Sequence, residues 1–390
     1  MGTSNNGEIC HFENEFVKGV DQKRSMSLTK TDIASFKCSK GYKDDVNGGS
    51  SPMYDAFFFA TKTTLMYREM FNHIPMGDHV PYVKCHYGFD YNNAFWDGTN
   101  LYFGDGDGWF NHPLTGCDMV AHEFSHGVTE RASNLAYWGE SGAINEAFSD
   151  MAGEAAELYT FGKNDWLVAG EMFIDNLYLP ETKKEGLRYF DNPTRDGLSI
   201  NHVKDFKVNM NVHYGSGVYN QVFYNLSQAI GVSAAMECFV NANRLYWKET
   251  TTFENGACGT LKGAYEAGYD MEVVAECFRF VGITLFECKD ISQLVTSELP
   301  ENVTQTRMRV SPLRNPLFKI NVPHGVSHLT ITVSSPDVTI FVGPSHSRAA
   351  LPLAAGAGNV SAEIWQFATV YSRFSADVEI QNVSATLLFY

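Results

Sequence analysis

The chain has 390 residues, 44% of them apolar, with 29 basic against 45 acidic side chains and a formal net charge of −16. That composition supplies sizeable cores and excludes a disordered or collagen-like chain, and no apolar run approaches the ~20 residues of a membrane span. The acidic excess argues against a nucleic-acid or anionic-membrane partner, and the length predicts roughly two to three domains.

Residues 1–110 read as short strands and turns around one helix. Apolar residues recur on a helical period from Asp55 to Phe71, and Val80 to His86 alternates as a strand does. Gly104-Asp-Gly-Asp-Gly108 is turn chemistry. A helix begins between Pro113 and Ser125, and helical runs follow at 145–159, 217–229, 234–247 and 271–281. After about Cys288 charge thins and alternation takes over, in the runs Phe318 to Val322, Leu329 to Val333 and Val338 to Val342. Pro, Gly and Ser separate these runs, which predicts a small antiparallel sandwich. Ser292 to Gln305 reads as a linker, and Ala349 to Gly358 as a flexible loop.

Eight cysteines include no CxxC pair, so they fit structural disulfides or buried thiols. Asn-X-Ser/Thr sequons stand at Asn225, Asn302, Asn359 and Asn382. Together with the even cysteine count they point to an extracytoplasmic, glycosylated protein. Met1 to Gln22 lacks the apolar core of a signal peptide, so the chain is expected to be a processed or trimmed piece.

The chemistry centres on His122-Glu123-Phe-Ser-His126. On a helix, residues four apart project about 40° from one another, so both imidazoles leave one face. Two neutral imidazole nitrogens suit Zn²⁺. Glu123 is about 100° around from His122, placed to take a proton from a metal-bound water without ligating the metal. A catalytic zinc normally takes three protein ligands and a water. Nineteen residues separate His126 from Glu146, room for a helix, a reversal and a second helix. Asp150 lies one turn after Glu146, on the same face, where it can accept the spare N–H of a ligand histidine.

The stretch from Tyr82 to Cys258 resembles the thermolysin-like zinc metalloendopeptidases, most closely their pseudolysin and vibriolysin branch. The likeness rests on Asn93-Ala-Phe-Trp-Asp-Gly98, Phe103-Gly-Asp-Gly106, Asp118 to Gly127, Gly142 to Glu157, Leu187-Arg-Tyr189, His213 to Tyr219 and Asn241-Ala-Asn-Arg244. It is fainter back to about Cys10 and forward to Cys288. It implies that His122, His126 and Glu146 bind zinc, with Glu123 as general base and proton shuttle. Tyr137 and His213 are implied as donors to the tetrahedral oxyanion. Arg188 is implied to hydrogen-bond a substrate carbonyl, with Leu187 on the wall of an apolar pocket. Asn93 and Ala94 match edge-strand positions that pair with substrate backbone. One departure is Asn211, where close relatives carry Asp: an amide can orient the His213 ring but lacks the charge that stabilises imidazolium.

Glu146, Asp150, Glu154 and Glu157 step by four, four and three along one helix, a destabilising pattern unless something neutralises it. Glu154 and Glu157, with Asp118 and Asp165, suit Ca²⁺. The resemblance places a structural calcium there, completed by the Leu167 carbonyl. It also implies the disulfides Cys10–Cys38 and Cys258–Cys288. Cys85, Cys117, Cys238 and Cys277 have no counterpart; Cys85–Cys117 and Cys238–Cys277 are the pairings weighed against free thiols. The tail weakly resembles the pre-peptidase C-terminal domain, best over Pro336 to Val342.

The expected fold class is α+β. A two-lobed catalytic unit has a β-rich N-terminal lobe (1–136) that includes the HExxH helix. A helical C-terminal lobe (137–291) follows, and then an antiparallel β-sandwich (306–390). The expected function is a secreted zinc endopeptidase, made as a zymogen, cutting proteins and peptides before bulky apolar residues. The alternative is a catalytically silent, zinc-containing binding or adhesion protein. The tail is expected to bind a matrix or glycan or to solubilise the protein, and the molecule to be a monomer with no membrane partner.

Overall fold

The structure is a computed structural model. It describes residues 2–4, 8–43, 52–174, 185–285 and 288, and the backbone of nine further strands between residues 297 and 387. Its contacts divide into two units, Met1–Phe253 with Cys277–Ile283, and Glu254–Glu276 with Thr284–Tyr390.

The first unit opens with strands β1 (Gly2–Ser4), β2 (Ile9–His11), β3 (Lys18–Asp21) and β4 (Ser35–Lys37). The order β1-β2-β4 makes a small antiparallel sheet, closed covalently by the Cys10–Cys38 disulfide with Cα atoms 5.1 Å apart. Helix α1 (Pro52–Phe71) follows, three residues longer at its start than the apolar period foretells. Strands β5 (Tyr82–Cys85), β6 (Ala94–Trp96) and β7 (Leu101–Phe103) join β3 in a four-stranded sheet of order β3-β5-β7-β6. β3, β5 and β7 run parallel, whereas β6 is antiparallel to β7 and forms the edge. The expected turn after β7 is built on Gly106 and Gly108, both at positive φ (71° and 65°).

Helix α2 (Cys117–Arg131) carries the HExxH motif, and α3 (Gly139–Phe161) runs beside it. α3 is buried on every side from Ser141 to Glu157, so it is the central helix of the unit. Its small residues let neighbours approach. A Cβ on Gly153 would lie 3.1 Å from the Asp118 side chain, and one on Gly142 would lie 2.5 Å from Val212. α3 ends where Gly162 turns left-handed (φ 73°) and its N–H bonds the Leu158 carbonyl, the usual glycine stop. The chain then forms a two-stranded ladder, β8 (Leu167–Val168) with β9 (Arg188–Tyr189), pairing Val168 with Arg188. Helices α4 (Val212–Gly215), α5 (Gly217–Ile230) and α6 (Val232–Leu245) complete the helical half. Their aromatic core joins Tyr219, Phe223, Phe239, Trp247, Phe253 and Phe278.

The second unit takes in α7 (Phe253–Ala267) from Glu254 onward, a helix the apolar period does not single out, because Gly256, Gly259 and Gly263 interrupt it. Helix α8 (Met271–Phe280) spans the division between the units. The Cys258–Cys288 disulfide lies in the second unit. Two sheets follow. One has the order β10-β12-β17-β14-β15, from Ser297–Leu299, Leu317–Ile320, Phe367–Ser372, Val338–Gly343 and Leu351–Leu353. The other has the order β11-β18-β13-β16, from Thr306–Val310, Ala376–Leu387, Val326–Val333 and Gly358–Val360. The alternating runs fall on β12, β13 and β14. Two expectations are corrected. The linker 292–305 contains β10, which pairs parallel with β12, and the loop 349–358 contains β15, which pairs with β14. Short segments with little alternation of their own are held in sheets by the strand beside them.

The remaining cysteines also correct an expectation. Cys85, Cys117, Cys238 and Cys277 are buried thiols, not the bridges Cys85–Cys117 and Cys238–Cys277. The reason is local: the Cys85 sulfur lies 3.6 Å from the Pro52 carbonyl, Cys117 lies 3.9 Å from Thr160 Oγ1, and Cys238 bonds its own helix at Ala234. Replacing Gly153 with Val should force α2 and α3 apart and lower stability by about 1–3 kcal/mol, read as a fall in the thermal midpoint; an unchanged midpoint would show that the close approach carries no such constraint.

Candidate active site

His122 and His126 leave one face of α2, as their spacing requires, and their Nε2 atoms lie 3.1 Å apart. Glu146 reaches them from α3: Oε2 is 3.5 Å from His122 Nε2, and Oε1 is 3.5 Å from His126 Nε2. One ligand atom from each of the three lies within 4.8 Å of the others. Glu146 is fully buried, and its Oε2 accepts no hydrogen bond. A buried carboxylate oxygen without a donor, facing two imidazole nitrogens, fits a divalent cation bound to all three. Burial opposes ionisation of Glu146, but His122, His126, His213 and Arg188 outweigh it and hold the carboxyl below its usual range.

The outer nitrogens are oriented as metal ligands require. His122 Nδ1 faces Asp150 Oδ1 at 2.8 Å. His126 Nδ1 meets Asn145 Oδ1 at 2.9 Å and Ser149 Oγ at 3.2 Å. Asp150 is itself clamped: Arg188 donates through Nε at 2.8 Å and Nη2 at 2.6 Å, and Asn220 Nδ2 donates at 2.9 Å. Burial disfavours the Asp150 charge, but Arg188 and His122 hold the carboxyl far below the usual range. Asp150 and the other carboxylates raise His122 to about 9 against the opposing effect of burial.

A cleft of about 620 Å³ opens over this centre, lined by Asn93, Ala94, Glu123, Tyr137, Leu187 and His213 among others. Glu123 is buried at its floor, and burial raises its pKa. The Tyr137 hydroxyl donates to Glu146 Oε1. His213 places Nε2 3.4 Å from Glu146 Oε2, while Asn211 Oδ1 accepts from its Nδ1 at 2.8 Å and from its backbone N–H at 3.0 Å. Edge strand β6 forms one wall, beginning at Ala94, and Trp96 donates its indole N–H to Glu130 at 2.6 Å.

The second acidic group gathers behind the first. Glu154, Glu157 and Asp165 bring oxygens within 4.8 Å of one another. Glu154 Oε1 and Glu157 Oε2 are buried without partners. Burial, then the charge of Glu157, pushes Glu154 well above its usual range; burial, then Asp118, raises Glu157 to about 9. Asp118 lies beside this trio, close enough for its charge to raise Glu157, and its oxygens accept the backbone N–H groups of Met119, at 2.6 Å, and Ala169. Leu167 follows Asp165 closely, its N–H donating to Asp165 Oδ1 at 2.8 Å.

All of the expected zinc, catalytic and substrate residues therefore come together in one cleft. Asn145, Ser149 and Asn220 escaped sequence reasoning. For Asn145 the signal existed: a ligand histidine needs an acceptor on its other nitrogen, and Asn145 adjoins Glu146. Arg188 differs in emphasis from the expectation, since two of its donors are committed to Asp150.

Comparisons agree with this geometry. Residues 1–130 match the family model for the thermolysin metallopeptidase catalytic domain, and residues 133–283 match that for the thermolysin metallopeptidase alpha-helical domain. The neutral protease of Vibrio proteolyticus is 42% identical over 281 residues, covering 71% of this chain and 44% of that protein. The virulence metalloprotease of Vibrio anguillarum is 41% identical over 281 residues, again covering 71% and 44%. The chain thus spans less than half the length of these relatives. The solved precursor of protealysin, a metalloproteinase from Serratia proteamaculans, superposes with a TM-score of 0.61 at 22% identity, over 70% of this chain and 88% of that one, which supports the fold. With both halves matched in order, and the metal-ligand triad assembled between their two helices, the chain belongs to the thermolysin metallopeptidase family.

Proposed function

We propose that this protein is a secreted, zinc-dependent endopeptidase that hydrolyses internal peptide bonds and prefers a bulky apolar residue just after the cut bond. The observation that carries the reading is the convergence of His122, His126 and Glu146 beside Glu123, under an edge strand suited to pairing with an extended peptide. A zinc ion held by His122, His126 and Glu146 would supply Lewis acidity to water and to the substrate carbonyl. Glu123 accepts the proton of the attacking water and delivers it to the leaving amine. Its burial supports this role, because a raised pKa brings a carboxylate closer to that of the proton it handles. The Tyr137 hydroxyl and His213 Nε2 border the same space and donate to the oxygen on which charge builds. Asn93 and Ala94 hold substrate backbone, Arg188 its carbonyl, and Leu187 the apolar side chain.

The acidic trio, with Asp118 and the Leu167 carbonyl, is assigned to a structural Ca²⁺. The buried, partnerless oxygens of Glu154 and Glu157 support it, since a hard divalent cation would relieve the cost of burying like charges. The domain division is part of the proposal: lobes 1–136 and 137–291, then a sandwich, 306–390, joined by β10 and serving to bind a matrix or glycan or to solubilise the protein. The strand pairings between residues 306 and 387 support the sandwich. Two disulfides and four sequons support export and glycosylation, although Asn302 and the side chains of Asn359 and Asn382 lie outside the described residues. Among the described residues no helix is long and apolar enough to cross a membrane. Zymogen synthesis and a monomeric state complete the proposal.

Glu123→Gln should keep zinc, by metal analysis, while cleavage of a blocked internal peptide falls about 10³-fold; wild type that is folded, zinc-loaded and inert would instead favour the silent binding protein. Burial holds His213 below its ordinary range, with Arg188 and His122 adding to burial and Glu146 opposing. As a donor required in its protonated form, it loses function as pH rises through its pKa. Asn211→Asp should therefore move the alkaline limb of the pH–rate profile up by about one unit, and an unmoved limb would refute the role of Asn211. Chelating calcium with zinc resupplied should lower the thermal midpoint, by about 2.7 kcal/mol of stability if calcium had stood at a hundred times its Kd. Glu154→Gln/Glu157→Gln should abolish that dependence; a midpoint indifferent to calcium in wild type would remove the assignment.

A further inference from the structure

The floor of the cleft is one stripe of α2. Met119, His122, His126 and Glu130 step by three, four and four along it, so they share a helical face, and all four line the cleft. The stripe has a direction. Asp118, at the start of α2, accepts the Ala169 N–H, and the Val168 carbonyl beside it accepts the Leu187 N–H at 2.7 Å. The apolar pocket beside Leu187 therefore lies at the Met119 end, and the residue after the cut bond points there. Glu130 stands at the opposite end, roughly 9 Å along the axis from the midpoint of the two histidines. That end takes the residues before the cut bond.

Glu130 is exposed, and its carboxylate is held in place without being neutralised. The Trp96 indole N–H, a neutral donor, bonds its Oε2 at 2.6 Å. Gly98 leaves space above it: a Cβ there would stand 3.7 Å and 3.8 Å from the two Glu130 oxygens, and a φ of 93° disfavours any side chain at that position. Arg131, next in the chain, is turned to other partners. Its guanidinium lies over the Trp96 ring, 5.2 Å from the centroid, and its Nη1 donates to the Gly127 carbonyl at 3.4 Å. Among the described residues Glu130 forms no ion pair. Glu249 adds a second acidic residue at this end, where its carbonyl accepts the Ala136 N–H at 2.8 Å. Among the described residues lining the cleft, Arg188 is the one Lys or Arg, and its donors are engaged with Asp150.

We propose that Glu130 selects a lysine or arginine as the second residue before the cut bond. The inference rests on the endopeptidase reading and names the substrate class of that same cleft: a basic residue, one residue of any kind, and then the bond before a bulky apolar residue. An extended chain paired with β6 turns alternate side chains to the same side. The second residue before the bond stands two positions from the residue after it, so both face the floor. Two positions span about 7 Å. Helical side chains lean toward the N-terminus, which carries the Glu130 carboxylate back toward His126. The long stem of lysine or arginine covers the remaining distance. An acidic side chain at the same position would instead meet Glu130 and Glu249 as like charges.

The test uses the zinc-loaded full chain and blocked peptides that are alike except at the second residue before the bond, which is Lys, Gln or Glu. A further peptide keeps Gln there and carries Lys at the third residue after the bond. kcat/KM should be about threefold higher for the Lys than for the Gln peptide, and at least fivefold higher than for the Glu peptide. The difference should lie in KM, because this contact is the same before and during the reaction, and it should shrink in about 0.5 M salt. The peptide with the displaced lysine should be cut like the Gln peptide, which separates a local contact from the attraction of an acidic protein for any cation. Glu130→Gln should bring the Lys-to-Glu ratio below about twofold, and Glu130→Lys should invert it; as ratios, both are insensitive to a general loss of activity. Equal kcat/KM for the Lys and Glu peptides in wild type, an equal gain from the displaced lysine, or a ratio unchanged in Glu130→Gln overturns the proposal. A ratio lost in Glu249→Gln but kept in Glu130→Gln overturns it as well. Folded, zinc-loaded protein that cuts none of the peptides overturns the endopeptidase reading and the inference with it, whereas equal cutting of all of them overturns the inference alone.

Discussion

The organisation of the catalytic unit depends on one buried carboxylate. Glu146 is placed on α3 with His122, His126, His213, Tyr137 and Arg188 around it. In a medium of low dielectric such a group is tolerable only among donors and cations. Each of those neighbours is therefore fixed relative to the others by a shared electrostatic need. The arrangement also explains why α3 is so rich in alanine and glycine: small side chains let α2 come close enough for the histidines to reach.

Behind the ligands lies a second layer that keeps them still. Asp150 joins His122 to Arg188 and Asn220, so helix α2, strand β9 and helix α5 meet at one carboxylate. Removing any one of these donors would leave a buried charge less well compensated. Packing density alone would not give such angular control; directional bonds do. The cleft thus combines a rigid floor with a wall, β6, whose backbone is the outermost of its sheet.

Much of this was legible in the residues. The spacing of His122 to His126 and of Glu146 to Asp150 states which side chains share a helical face, and helical geometry does the rest. The order of the flanking motifs made the fold readable from about Tyr82 onward. Asn145 carried a signal in its place beside Glu146, but Ser149 and Asn220 were not legible, because a buried amide or hydroxyl has no periodicity of its own; its partner is set by how two helices meet. The thiols were unreadable for the same reason, since a cysteine's fate depends on which atom lies opposite it. α7 was hidden by its glycines, and β10 and β15 by their brevity. Each of these belongs to tertiary context rather than to local pattern.

The ladder of β8 and β9 has a further meaning. Val168 pairs with Arg188, three residues after Asp165, and the Leu187 N–H donates to the Val168 carbonyl at 2.7 Å. The loop that presents Asp165 is thereby joined through the ladder to the guanidinium that grips Asp150, and through Asp150 to the imidazole of His122. The acidic trio and the His122–His126–Glu146 centre share no residue, yet a short run of main chain from Asp165 to Val168, paired to Arg188, joins the surroundings of one to those of the other.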